Sequence, residues 1–242
     1  MTSMEPVNSE TNLVAERYAR RRCDGLYSVL RPEVWLAMQE RQRAMLQLLA
    51  AHTNQRLEAL RVLEIGCGSG SNLQELMRLG FDPENLVGNE LLPERVAAAR
   101  RSLPAVTEVH AGDALQLTIP DGGFDIVYQS TVFTSLLDND FQQRLAERMW
   151  QWVRPGGAVL WYDFVFDNPN NKDVRGVPLS RVRELFPQGR IDARRVTLAP
   201  PISRRVVRLH PFLYPLLNSL PLLRSHLLCW VEKPLVRHPD ER

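Results

Sequence analysis

The chain reads as an α/β protein built on a doubly wound, mostly parallel sheet with helices on both faces. Three observations predict this. Short apolar runs alternate with amphipathic stretches from residue 61 to residue 164, the pattern of repeated strand–helix units. The first run, Arg61-Val62-Leu63-Glu64-Ile65, enters a loop with glycines at alternate positions, Gly66, Gly68 and Gly70, and a helical pattern follows. The chain has 242 residues, 44% hydrophobic and 24% charged, enough for one large domain or two small ones with a sizeable core.

The elements follow in order. Residues 1–12 read as a polar tail and 13–22 as an arginine-rich helix. Pro32 opens a longer helix, with Val34, Leu36, Met38, Met45, Leu46, Leu48 and Leu49 as its apolar positions, placed to pack on the edge of the sheet. The first strand is 61–65, and its helix, 71–79, is closed by Gly80. The second strand, 86–89, ends at Glu90, and Pro93 suits the first turn of a helix over 93–102. A third strand lies near 107–110, before Gly112-Asp113-Ala114. Asp121-Gly122-Gly123 is a turn into a fourth strand, 124–128. Asp138 and Asp140 are N-cap residues for a helix over 140–153, and Arg154-Pro155-Gly156-Gly157 turns into a fifth strand, 158–164.

The rhythm then changes. A loop at 168–171, a short helix at 179–186, a strand at 194–198, an apolar proline-punctuated helical insert at 210–223 and a last strand at 226–231 complete the chain. In domain terms, 1–58 is an N-terminal arm and 59–242 the main domain, with an insert at 200–224. That insert has three readings: extra core, a lid, or a membrane-surface contact through apolar residues flanked by arginines.

Bulk properties exclude several classes. A net charge of +2 argues against a general nucleic-acid binder. No apolar run reaches a membrane span, since the greasiest stretch is broken by Pro215 and Pro221. Residues 1–10 are polar and acidic, unlike a secretory signal. Cys23, Cys67 and Cys229 lie far apart, which fits a reduced, cytoplasmic setting. The five histidines lack metal-ligand spacing, so no metal is expected. Lysine occurs only at Lys172 and Lys233; the arginine bias is either compositional habit or anion recognition.

The glycine loop selects the ligand class. A strand-to-helix turn of this kind offers free N–H groups to a nucleotide-like cofactor. Ser71 stands where the dinucleotide fingerprint G-x-G-x-x-G places its third glycine, and no P-loop lysine follows. The whole, Glu64-x-Gly66-x-Gly68-x-Gly70, resembles the cofactor loop of class I S-adenosylmethionine-dependent methyltransferases. Glu90, Gly112-Asp113-Ala114, the Phe124-Asp125-Ile126-Val127 strand and the Pro155-Gly156-Gly157 turn recur in the order that family uses. The likeness covers roughly 60–164 and is nearest to the small-molecule, UbiE-like or type-11, branch. Gln129-Ser130-Thr131-Val132 replaces the [D/N]-P-P-[Y/F/W] of nucleic-acid and protein-glutamine methylases.

The resemblance implies a Rossmann-like, seven-stranded sheet whose last strand is antiparallel, and an N-terminal arm folded over the cofactor. It implies S-adenosylmethionine as cofactor, bound by Glu64, Gly66, Cys67, Gly68, Gly70, Glu90, Leu91, Asp113, Ala114 and Gln129. Glu90 would hold the ribose hydroxyls, or else only favour the start of the next helix; Asp113 would hold the adenine amino group, or else only shape a turn. Asp125 is read as structural. Asp163, at the end of the fifth strand, and His210, at the start of the insert, are the candidate bases for a hydroxyl acceptor; loop capping and helix entry are their non-catalytic readings. The expected acceptor is a small molecule, anionic or carbohydrate, such as a glycan, lipid-linked or natural-product intermediate. The competing functions are an NAD(P)-dependent oxidoreductase and a non-catalytic cofactor-binding regulator.

Overall fold

The computed structural model describes residues 10–20, 25 and 27–235. Seven strands form one sheet: β1 (Val62–Ile65), β2 (Leu86–Glu90), β3 (Glu108–Ala111), β4 (Phe124–Ser130), β5 (Val153–Phe164), β6 (Arg190–Leu198) and β7 (Arg224–Glu232). Their order is β3-β2-β1-β4-β5-β7-β6. β7 alone is reversed, slotted antiparallel between β5 and β6. The strand order reverses between β1 and β4, and the carboxyl ends of those two strands border the crevice where such sheets bind ligands.

All four residues of β1 are buried, as a strand covered on both faces requires. The period of two then sorts them. Leu63 and Ile65 join the core under α5 (Asn139–Trp152) and α6 (Leu179–Leu185). Val62 joins the opposite core, under α2 (Pro32–His52), α3 (Ser71–Leu79) and α4 (Pro93–Ser102). Met45, Leu48 and Leu49 of α2 are buried there, and α2 packs along β6 and β7 at the edge of the sheet, whereas Leu46 points outward.

Local chemistry sets the element ends. Gly80 closes α3 in the left-handed conformation, φ +109°, its N–H returning to the last turn. Asp138 caps α5 by accepting Asp140 N and Phe141 N, while Asp140 itself lies in the first turn. Asp125 is structural: Oδ2 accepts Arg61 N at 2.8 Å and Oδ1 accepts Arg154 Nε at 2.5 Å, joining the entry to β1 and the start of β5 to β4.

Several boundaries differ from the sequence reading. The first helix, α1 (Glu10–Arg20), begins inside the expected tail; positions 1–9, 21 and 22 lie outside the described residues. β5 starts at Val153, so the Arg154–Gly157 turn is an irregularity within the strand, opposite a register shift between Phe124 and Ile126. β6 starts at Arg190, four residues early. The insert contains an unexpected helix, α7 (Pro200–Leu209), followed by α8 (Leu213–Asn218) and a 3₁₀ turn, Pro221–Leu223. Pro200 and Pro201 occupy the first turn of α7, where a missing N–H costs nothing. Only one side of the insert is core: Val207 and Tyr214 are buried against Leu198, with Leu36 and Ala37 of α2 beside them.

At Gly157 a Cβ would stand 2.5 Å from the Asp125 carbonyl oxygen, a backbone atom that cannot swing away. Gly157→Ala should therefore destabilise the fold by about 1–3 kcal/mol, read as a lower urea midpoint with an unchanged slope.

Candidate active site

The loop after β1 is held in left-handed conformations: φ is +68° at Gly66, +58° at Gly68 and +88° at Gly70. Side chains rarely adopt these angles. Crowding adds a second reason at two of them. A Cβ on Gly66 would stand 2.6 Å from Val132 Cγ2, and one on Gly70 would stand 2.9 Å from the Leu103 side chain. At Gly68 a Cβ would meet nothing within 4 Å, so that side of the loop is open.

The ends of β2 and β3 complete the rim. Glu90 Oε2 accepts Gly68 N at 2.8 Å, and Oε1 accepts Leu92 N at 2.9 Å. A carboxylate has about four lone-pair directions, so each oxygen keeps capacity for a ligand hydroxyl. Asn89 Nδ2 donates to Gly112 O at 3.0 Å, and Gly112 N donates to Glu90 O. Asp113 Oδ1 accepts Leu115 N at 2.9 Å, capping the 3₁₀ turn Ala114–Gln116.

Gly66, Asn89, Glu90, Leu91, Asp113 and Ala114 line one cleft. Its far wall is Ser130, Thr131 and Val132 from the end of β4, with Leu136, Phe141 and Leu145 beyond. Thr131 sits at φ +58°, strained for a β-branched residue, and Gln129 supports it from below: Oε1 accepts Val132 N at 3.1 Å. α1 lies across the opening, contributing Thr11, Val14 and Tyr18, and the Arg95 guanidinium stacks on the Tyr18 ring at 4.4 Å.

A buried ion pair latches α1 in place. Arg17 donates to Glu10 Oε1 at 3.0 Å and to Ser135 O at 2.7 Å, and Glu10 Oε1 accepts Leu137 N at 2.6 Å. With α1 seated, the cleft encloses about 140 Å³, below the 300–1,000 Å³ usual for small-ligand sites. A larger groove, about 550 Å³, lies between α2 and α8, but it touches neither the glycine loop nor the ends of β2 and β3. The smaller cleft is where the ligand-directed groups converge, and we take it as the site.

The other sequence-predicted residues lie outside the cleft lining. Gly68 and Gly70 shape the loop through their left-handed backbone. Glu64 points to the opposite core, where Oε1 accepts Asn72 Nδ2 at 2.6 Å; burial pushes its carboxyl up to about 8. Cys67 packs beside Gly88, whose missing Cβ makes room for its sulfur, and burial pushes its thiol up. Gln129 is fully buried under the Val132 loop.

Neither candidate base reaches the cleft lining. Asp163 is 0% exposed; Oδ2 accepts Thr134 N and Oδ1 accepts Phe164 N, each at 3.2 Å, and burial pushes its carboxyl up to about 7. It holds up the loop that forms the cleft wall. His210 caps α7, its Nδ1 accepting Phe212 N at 3.1 Å on an exposed surface. Among the described residues, the ionisable groups lining the cleft are Tyr18, Glu90, Arg95 and Asp113. Sequence reasoning missed Asn89, Arg95 and the Glu10–Arg17 latch. Asn89 alone had a local signal, as a polar residue in an apolar strand.

Comparison with known proteins places this geometry. Residues 63–161 match the family described as "Methyltransferase domain". Trans-aconitate 2-methyltransferase of Afipia carboxidovorans is 31% identical over 176 residues, 72% of this chain and 61% of that protein. Demethylmenaquinone methyltransferase of Deinococcus radiodurans is 34% identical over 107 residues, 43% of each. Sterol 24-C-methyltransferase of Aspergillus fumigatus is 29% identical over 138 residues, 52% of this chain and 35% of that protein. The chain thus spans between 35% and 61% of the length of these relatives. A solved S-adenosylmethionine-dependent methyltransferase from Mesorhizobium loti shares the fold, with a TM-score of 0.59 at 17% identity, covering 78% of this chain and 98% of that one. The PH0226 protein of Pyrococcus horikoshii does likewise, with a TM-score of 0.58 at 16% identity, covering 90% of this chain and 99% of that one.

Two predictions follow from the geometry. Asp163 is held above its unfolded value of 3.8, so the stability it contributes is present at low pH and is lost as pH rises from about 4 through about 7. Asp163→Asn should flatten that part of the stability–pH curve in denaturant titrations and leave turnover in place. Arg17→Ala strands the buried Glu10 carboxylate; α1 amides should exchange at least about tenfold faster by hydrogen-exchange mass spectrometry, with the sheet unchanged.

Proposed function

We propose that this chain, which belongs to the class I S-adenosylmethionine-dependent methyltransferases, transfers a methyl group from that cofactor to a small-molecule acceptor in the cleft beneath α1. One observation carries the reading. Gly66, Glu90 and Asp113 stand at the ends of three neighbouring parallel strands and line a single cleft.

The residues present suit the cofactor. Glu90 retains acceptor capacity for a pair of ribose hydroxyls, Asp113 suits an exocyclic amino group, and Leu91 and Ala114 offer apolar surface for a purine ring. The open side of Gly68 leaves the loop free for close approach of a ligand. When bound, this cofactor supplies an electrophilic sulfonium methyl group. The chain's own part is alignment and exclusion of water. Val132, Leu136, Phe141 and Leu145 form an apolar wall, and α1 closes over it.

The relatives' names point to trans-aconitate, demethylmenaquinone and a sterol. Such diversity leaves the acceptor to be argued from this chain's own walls. The apolar wall favours an acceptor with an apolar body, and among glycan, lipid-linked and natural-product intermediates it suits the lipid-linked class best. With Asp163 and His210 outside the cleft, no carboxylate or imidazole among the described residues stands on the acceptor side. We therefore read the acceptor as one that arrives already nucleophilic, oriented by Ser130, Thr131 and Tyr18, in preference to an alcohol needing a strong base. A reducing, cytoplasmic setting suits the buried, unpaired thiols of Cys67 and Cys229.

Titration calorimetry with S-adenosylmethionine and with NAD tests the reading. The parent should bind S-adenosylmethionine, and Glu90→Ala should bind it roughly 10–100-fold more weakly, the loss of charge-assisted hydrogen bonds. Binding of NAD without S-adenosylmethionine would replace the proposal with an oxidoreductase. Failure to transfer labelled methyl to any extract would leave a cofactor-binding regulator.

A further inference from the structure

We infer that the insert of α7, α8 and the Pro221–Leu223 turn docks this protein on an anionic lipid bilayer. The insert has two unlike sides. Ser203, Val207, Tyr214 and Asn218 face inward against α2 and the end of β6. On the other side Leu209 is 79% exposed, Phe212 63% and Leu222 89%, with Leu216 and Leu220 about half exposed. Five large apolar side chains in fourteen residues are more than an ordinary surface turn carries.

A further exposed aromatic stands near the insert: Trp35 is half exposed one residue before Leu36, which packs in the core of the insert. Exposed Trp, Leu and Phe beside basic residues is the composition of an interfacial element. No helix among the described residues is long and apolar enough to cross a membrane, so the contact is with its surface.

Charge selects the occupant. Residues 193–231 contain six arginines and no acidic residue. Arg194, Arg195 and Arg224 are used within the fold: Arg194 pairs with Asp192, while Arg195 and Arg224 each donate to the other's carbonyl. Arg204, Arg205 and Arg208 make no ion pair among the described residues, and Arg205 and Arg208 are exposed. A second copy would bring the same three cations against themselves, which disfavours self-association through this face. A nucleic-acid backbone would satisfy the arginines but leave the leucines in water. An anionic bilayer satisfies both.

The position is also informative. The insert leaves the end of β6 and returns into the start of β7, with Leu198 paired to Arg224 and Phe164 of β5 to His226. It therefore stands at the edge of the sheet where β1, β2 and β4 present the cleft. A bilayer docked there lies beside the opening, a suitable arrangement for an acceptor held in lipid. The docking claim goes beyond the methyl-transfer reading and does not need it, because vesicle binding is measured without cofactor.

The experiment is sedimentation of the full chain with vesicles of phosphatidylcholine alone and of phosphatidylcholine mixed with phosphatidylglycerol, at low and high salt. The parent should partition onto the anionic vesicles and far less onto the neutral ones. Arg204→Gln/Arg205→Gln/Arg208→Gln should weaken anionic partitioning by roughly 10–100-fold. Leu209→Ser/Phe212→Ser/Leu222→Ser should weaken it by at least about tenfold. The single variant Leu222→Ser, at a residue 89% exposed, guards against misfolding of the triple and should show a smaller loss in the same direction, with unchanged urea midpoint. No binding of the parent to anionic vesicles at low salt overturns the inference. So does equal binding to both vesicle types, or anionic binding that the serine variants leave intact. A concentration-dependent dimer abolished by the serine variants would instead assign the face to a second copy.

Discussion

Glu90 is 5% exposed, and each of its carboxylate oxygens takes one backbone N–H, from Gly68 at 2.8 Å and from Leu92 at 2.9 Å. Hydrogen bonds to a charged group contribute about 1.5–3 kcal/mol each, and the one from Gly68 crosses from the loop after β1 to the end of β2. The loop after β1 is thereby fixed to the end of β2. Asn89 and the Glu90 carbonyl extend the tie to the Gly112 loop after β3. Three loops that a flexible chain would leave independent become one rim. The same carboxylate faces the cleft, so the group that shapes the site is also a group that can hold a ligand. Cys67 N, which donates to Asn89 O at 2.8 Å, and Ser102 Oγ, which donates to Ser69 O at 2.7 Å, hold the loop after β1 beside it.

The opposite face of the sheet carries a second polar cluster. Arg41 Nη2 donates to Glu75 Oε2 at 2.7 Å and to Asn72 Oδ1 at 3.0 Å, and Asn72 passes the chain on to Glu64. The Arg41 guanidinium also lies 5.2 Å from the centre of the Tyr162 ring. Burial is costly for charges, and Glu64 meets it by holding its proton toward neutral pH, its carboxyl pushed up to about 8 by desolvation. The cluster ties α2 to the start of α3, and hence to the glycine loop. Glu64 acts on the site through that frame and has no place in the cleft lining.

The central α/β alternation was legible because each strand is short, apolar and followed by its own helix signal. The loop glycines, Glu90 and Asp113 were legible for a related reason: they sit within a few residues of strand ends, so local order places them. Glu64 falls on the face away from the cleft once the register of β1 is fixed. Ile65 lines the cleft, and a period of two puts its neighbour on the other face. Asp163 lies outside the cleft lining, and its position at a strand end says nothing about whether Thr134, 29 residues earlier, seals it. The Glu10–Arg17 latch joins α1 to Ser135 and Leu137 across more than a hundred residues, and no local pattern announces such a contact. α7 precedes the helical insert expected at 210–223, and Pro200 and Pro201 stand in its first turn.

What unites these features is a division of labour along one edge of the sheet. Backbone loops tied by Glu90 form one side of the cleft, an apolar wall from the loop after β4 and from α5 forms the other, and α1 covers both. The most direct test is hydrogen exchange on the full chain with and without S-adenosylmethionine. The account predicts added protection at residues 66–70, 90–92 and 112–115 and along α1, with none along the groove between α2 and α8. Protection confined to that groove, or absent from the glycine loop, would contradict it.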